Sequence, residues 1–139
     1  MKKITLLLLG LVAAAASSFA QCDTKTLITS SQTEYFGPDG KSETKPEKVV
    51  IELTKTHIKV THENDELNGD IKEMKCDWPQ AFKNGKTNFR TTLFEDNGDS
   101  RNVNITIEAK DGKTTVMVEF IGAQDRKLRL TADQFEVIK

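Results

Sequence analysis

Between Asn102 and Ile121 the chain alternates apolar and polar residues on both sides of a single Asp-Gly pair. Val103, Ile105, Ile107 and Ala109 are separated by Asn104, Thr106 and Glu108, and a period of two marks a half-buried strand. Asp111-Gly112 can accept the positive φ that both central residues of a type I′ turn require. A two-residue turn there sets Ala109 opposite Thr114, Ile107 opposite Val116, Ile105 opposite Val118 and Val103 opposite Phe120. All the apolar members of these pairs fall on one face. A slip of one residue would turn that face to solvent, so the register is pinned. This segment demands an antiparallel sheet with one dry side.

The rest of the chain has the same character. Val49, Ile51 and Leu53 alternate, then Ile58 and Val60 do so in the opposite phase. A two-residue turn at Lys55-Thr56 restores the phase, with Leu53 opposite Ile58 and Ile51 opposite Val60. Phe89, Thr91 and Leu93 share a face. To join Val103 and Ile105 they need a loop of odd length near Gly98, either Asn97–Asp99 or Asp96–Ser100. Thr26–Tyr35 reads as a first strand and Gly37–Glu47 as a polar loop. Met74, Cys76 and Trp78 read as a strand, and Pro79–Lys83 as one helical turn. Leu128 with Leu130, and Phe135 with Val137, read as closing strands. Turn signals stand at Pro38-Asp39-Gly40, Asn68-Gly69, Asn84-Gly85 and Asn97-Gly98. No stretch carries a sustained apolar period of 3.6 residues.

These readings predict an all-β domain, an antiparallel up-and-down meander of about eight strands with one disulfide. Sequential pairing closes such a meander as a small barrel or folds it as a sandwich. In length and strand number it is similar to a lipocalin, but no Gly-x-Trp stands near the first strand. The one tryptophan, Trp78, is mid-chain, and no family follows. Phe89, Leu93, Phe120, Leu128, Leu130 and Phe135 are the bulky inward candidates, and they could either fill the interior or line a ligand site.

The N-terminus reads as a secretory signal peptide. Lys2 and Lys3 precede an uncharged run from Ile4 to Ala16, and small residues flank a cut after Ala20. The run is too short to span a bilayer, and Gln21 separates Cys22 from the cut, against a lipoprotein. The segment resembles the leaders of secreted bacterial proteins. Residues 21–139 are then a single all-β domain, secreted or periplasmic. Cys22 and Cys76 are the two cysteines, and export predicts that they pair. That bond closes a loop of about 54 residues, around 4 kcal/mol by chain entropy.

Size and charge exclude several functions. A chain of 139 residues cannot hold a catalytic domain and a separate cofactor module. With 20 Lys and Arg against 21 Asp and Glu, it has no long-range pull on nucleic acid or an anionic membrane. His57 and His62 are five apart on one strand and face opposite sides, so they cannot share a ligand. The acidic stretch His62–Asp70 fails the EF-hand template, because position 12 counted from Asn64 is Lys75. Asp96–Ser100 reads as a solvated hairpin loop. No Gly-x-Ser-x-Gly and no phosphate loop is present. No cofactor or metal is expected.

Phe94, Met117 and Ile121 are apolar residues out of phase with the inward set. The registers above place Phe94 and Ile121 on either side of Asn102, with Met117 in reach, as a candidate interaction patch. The expected function is a non-enzymatic exported domain that binds a small apolar ligand or an envelope partner. Two other classes stay open: a small periplasmic hydrolase or isomerase using inward polar residues such as His62 and Thr91, and a structural or inhibitory interaction module.

Overall fold

The computed structural model describes residues 21–122 and 126–138. Residues 1–20, read above as a signal peptide, lie outside them. Ten strands follow in order: β1 (Thr26–Phe36), β2 (Ser42–Leu53), β3 (His57–His62), β4 (Asp65–Asp70), β5 (Met74–Gln80), β6 (Asn84–Glu95), β7 (Ser100–Lys110), β8 (Lys113–Phe120), β9 (Lys127–Thr131) and β10 (Gln134–Val137). Eight of them close an antiparallel barrel, and β5 and β10 are extra. The ring runs β1-β2-β3-β4-β6-β7-β8-β9 and returns to β1. A barrel, not a sandwich, is thus the form the meander takes.

The two hairpins with pinned registers form as the alternation predicts. Val103 faces Phe120, Ile105 faces Val118 and Ile107 faces Val116 across β7 and β8. Asp111 and Gly112 both take positive φ, 54° and 82°, as a type I′ turn requires. Leu53 faces Ile58 and Ile51 faces Val60 across β2 and β3. The Lys55-Thr56 turn holds without glycine because Thr54 caps it: its hydroxyl accepts from His57 N at 3.0 Å and donates to His57 O at 3.2 Å.

Several expectations are corrected. Of the predicted polar loop Gly37–Glu47, only 37–41 turns; Ser42–Glu47 extends β2 along β1, with Glu43 opposite Tyr35 and Lys45 opposite Thr33. Those residues carry no apolar alternation because they flank the open end of the barrel. The acidic stretch before Asp70 is likewise strand β4, folded onto β3 by a tight turn in which Glu63 takes φ 53°. Asn68-Gly69 and Asn84-Gly85 are not turns. A Cβ on Gly69 would stand 2.5 Å from Thr91 Oγ1, and one on Gly85 would overlap the Trp78 indole. Both glycines mark close approaches inside strands. Pro79–Lys83 is no helical turn; Pro79 sits in β5 at an irregularity, and Lys83 N bonds Gln80 O at 3.1 Å to reverse the chain.

The loop after β6 has the predicted odd length but is centred one residue earlier, on Asp96–Gly98, with Glu95 N bonded to Asp99 O at 2.8 Å. Parity is preserved, so Phe89 still faces Ile105 and Thr91 faces Val103. Phe94 moves from Asn102 to Ser100.

The extra strands give the barrel a closed end. Along β6, the half near Asn84 pairs with β5 and the half near Glu95 with β4. Along β1, the half near Thr26 pairs with β10 and the half near Phe36 with β9. The two inserts meet below the bore. The Phe135 ring stands edge-on to Trp78 at 5.7 Å and to Phe82 at 4.7 Å. The Cys22–Cys76 disulfide ties the N-terminal turn to β5 at the same place. Above this floor Ile28, Leu53, Ile58, Phe89, Ile107 and Val116 pack as the core. The molecule is a cup with a solid base.

Candidate functional site

The upper half of the cup is hollow. A cavity of about 540 Å³ opens at the end formed by the turns 37–41, 63–64 and 96–98, with Arg126 on its border. Its wall is largely apolar: Val49, Ile51, Val60, Leu67, Leu93, Ile105, Val118, Phe120, Leu128 and Leu130. These are inward positions of seven different strands, set there by the period of two. Of the bulky inward candidates, Phe89 is deep in the core and Phe135 in the floor, while Leu93, Phe120, Leu128 and Leu130 line the space. They do not fill it, because the large side chains sit low and the wall above is mostly Val, Ile and Leu.

One wall of the cavity is polar. The Tyr35 hydroxyl donates to Glu47 Oε2 at 2.6 Å, and His62 Nε2 lies 2.8 Å from the same oxygen. Glu47 keeps the inward phase of Val49 and Ile51, and a β-bulge brings Tyr35 round to it. Ser30 faces Val49, but Gln32 faces Pro46, so β2 carries one more residue than β1 between these pairs. The Ser30 hydroxyl stitches the bulge, its one proton shared between Gln32 O and Thr131 O, each at 2.9 Å. Past the bulge the inward positions of β1 change from even to odd, so Thr33 and Tyr35 face the bore.

The cluster shapes its own titration. Burial and then the Glu47 hydrogen bond and charge push the Tyr35 hydroxyl up to about 12. For Glu47, burial opposes ionisation, but the bonds from Tyr35 and His62 outweigh it and hold the carboxyl below its ordinary value. Thr33 Oγ1 lies toward the same carboxylate. It is nevertheless the one buried side-chain oxygen among the described residues without a hydrogen bond of normal geometry, in a residue only 2% exposed.

The rim carries cations. Arg101 takes an inward register opposite Leu93, with its guanidinium 5.8 Å from the centre of the Phe120 ring. Arg126 and Lys127 also border the opening, and the Lys127 ammonium sits 5.6 Å over Phe36. Glu95 is the acid on the same border.

The sequence singled out His62 and Thr91 as inward polar residues. His62 is at the cavity; Thr91 instead donates to Asp70 O at 2.8 Å, joining β6 to the end of β4. His57 faces outward, against Asp70 and Asn68. Tyr35 was missed because a bulge leaves no mark in an alternation of polar residues, and Glu47, in phase with Val49, because Gly37–Glu47 read as a loop. The apolar patch does not assemble as predicted. Phe94 and Ile121 are exposed, 52% and 49%, but Met117 is half-buried and pairs with Thr106 and Arg129. Ser100 and Thr106, the partners of Phe94 and Met117 on β7, are roughly 20 Å apart along the strand. A second concavity of about 740 Å³ lies outside the barrel, open and lined mainly by Asn88, Arg90, Thr92, Asn102 and Asn104.

Among the described residues no helix is long and apolar enough to cross a membrane, and no three His, Cys, Asp or Glu converge as metal ligands. Compared with known protein families, curated proteins and solved structures, the chain matches none.

Proposed function

We propose that this protein is an exported binding domain that takes a small, largely apolar ligand into the open half of its barrel. The observation that carries this reading is the cavity itself. An eight-stranded barrel either fills with its own side chains or holds one small ligand. Here the floor is packed and sealed, and some 540 Å³ above it is bordered by aliphatic and aromatic side chains. That volume falls within the range of small-molecule sites. A few polar groups on one wall, Tyr35, His62 and Thr33, supply orientation. The disulfide favours an oxidising compartment, and together with the N-terminal leader pattern supports export.

A second reading, a small acid–base enzyme, draws on the pairing of His62 with Glu47. The binding reading takes precedence because Glu47 Oε2 already accepts from both Tyr35 and His62. Nor does any hydroxyl bond His62 among the described residues.

The test is uptake of a neutral fluorescent probe, N-phenyl-1-naphthylamine, with native mass spectrometry of protein recovered from its own host. Wild type should bind the probe. Val118→Trp, which fills the bore, should lose it while keeping the far-ultraviolet spectrum of the fold. Phe94→Ser, on the outer face, should bind as wild type does. A wild-type protein that takes up no probe and leaves its host at its bare mass would overturn the reading.

A further inference from the structure

We infer that the ligand is an amphiphile with an anionic head of the carboxylate class, its apolar body in the bore and its head between Arg101 and Arg126 at the rim. This rests on the binding reading above and specifies its ligand. Arg101 is on β7, diametrically across the ring from Glu47 on β2. Its guanidinium lies against Phe120, which also lines the cavity, so the charge sits where apolar wall meets water. Arg126 is fixed at the same point, since its carbonyl accepts from Phe120 N at 3.2 Å. Neither arginine forms an ion pair among the described residues, although Arg129 on the outer face does, with Glu34 at 2.7 Å.

The acids nearby do not cancel this. Glu47 is occupied by two protein donors. Glu95 is a single carboxylate on a border that also carries Arg101, Arg126 and Lys127. A neutral head would leave these cations partly desolvated and uncompensated, whereas a carboxylate matches the planar fork of a guanidinium. The cavity is therefore asymmetric in charge as well as in polarity, with the anion on the β7–β8 side and the aliphatic chain running down toward Leu130 and Ile105.

The experiment compares a straight-chain saturated fatty acid with the alcohol of the same length, each displacing N-phenyl-1-naphthylamine from the full mature protein at neutral pH. The acid should bind about tenfold more tightly, the worth of one charge-assisted contact. Arg101→Gln with Arg126→Gln should abolish the difference, Glu95→Gln should widen it, and added salt should narrow it. If acid and alcohol displace the probe equally, or neither does while the probe binds, the anionic head is refuted and the cavity reading stands. If wild type does not bind the probe at all, the cavity reading fails first.

Discussion

Replacing Gly85 by alanine tests the floor on which the cavity depends. An added Cβ would overlap Trp78 Cδ2 and Cε3 and stand 2.6 Å from Asp77 O. Non-bonded carbons settle near 3.5–4.0 Å, so the indole must retreat by about 1 Å or more. It has nowhere to go. Trp78 is 2% exposed, its Nε1 donates to Thr87 Oγ1 at 2.8 Å, and Phe135 packs edge-on against it. Overpacking of this kind costs about 1–3 kcal/mol. A loosened buried hydrogen bond adds about 1 kcal/mol. Alanine returns about 0.5–1 kcal/mol by stiffening the unfolded chain. The net expectation is a loss of about 1–3.5 kcal/mol in urea denaturation. Trp78 is the sole tryptophan, so its emission should also shift to the red in the folded variant. In a Trp78→Leu background the same substitution should cost less, the remainder being the approach of the Cβ to Asp77 O at 2.6 Å. A Gly85→Ala protein within about 0.5 kcal/mol of wild type, with unshifted emission, would refute the reasoning.

Three further outcomes are expected. Replacing Cys22 and Cys76 together by alanine should cost about 4 kcal/mol, read as the same shift that reductant produces in wild type and absent from the variant. Tyr35 is the single tyrosine, so phenolate absorbance reports it alone; the midpoint should lie at about 12, against 10.0 unfolded, and fall toward the latter in Glu47→Gln. The raised value means that this stabilisation is present below 10.0 and lost as pH rises through 12. The depressed Glu47 carboxyl has the opposite sign, with stability present above its ordinary value of 4.5 and lost as pH falls through the lowered one. Finally, Ile58→Ala in the packed base should cost about 2–5 kcal/mol, whereas Val60→Ala, two residues up the same strand on the cavity wall, should cost about 1 kcal/mol. Equal costs at the two positions would argue against a hollow upper half.

Much of the fold was legible before any coordinates. The hairpins centred on Asp111-Gly112 and Lys55-Thr56 form as the alternation requires, because in each a phase reversal and a turn agree. The disulfide followed from the cysteine count and the expectation of export. Ser42–Glu47 was not legible as a strand, because its side chains mostly face water on both sides; Asp65–Asp70 was not, because Leu67 is the one large apolar residue on its inner face and Gly69 imitates a turn. Gly69 and Gly85 mimicked turns because asparagine-glycine pairs look alike whether the missing Cβ serves a positive φ or a neighbouring side chain. For the site, His62 could be placed inward by parity, but Tyr35, beyond the bulge, could not, and Glu47, though in phase with Val49, read as part of a loop.

What the amino-acid sequence determined by itself was local: which residues alternate, where the chain reverses, and which cysteines can pair. Those properties depend on neighbours within a few positions. Tertiary structure alone decided that β1 pairs with both β9 and β10, that β5 and β10 seal one end, and that a bulge turns Tyr35 to meet Glu47 and His62. Ring closure joins strands about a hundred residues apart, and no local period encodes it. Whether a bore is full or hollow depends on where large side chains fall along its axis. Only the assembled ring puts Phe89 and Trp78 low, and leaves the space beneath Arg101 and Phe120 open.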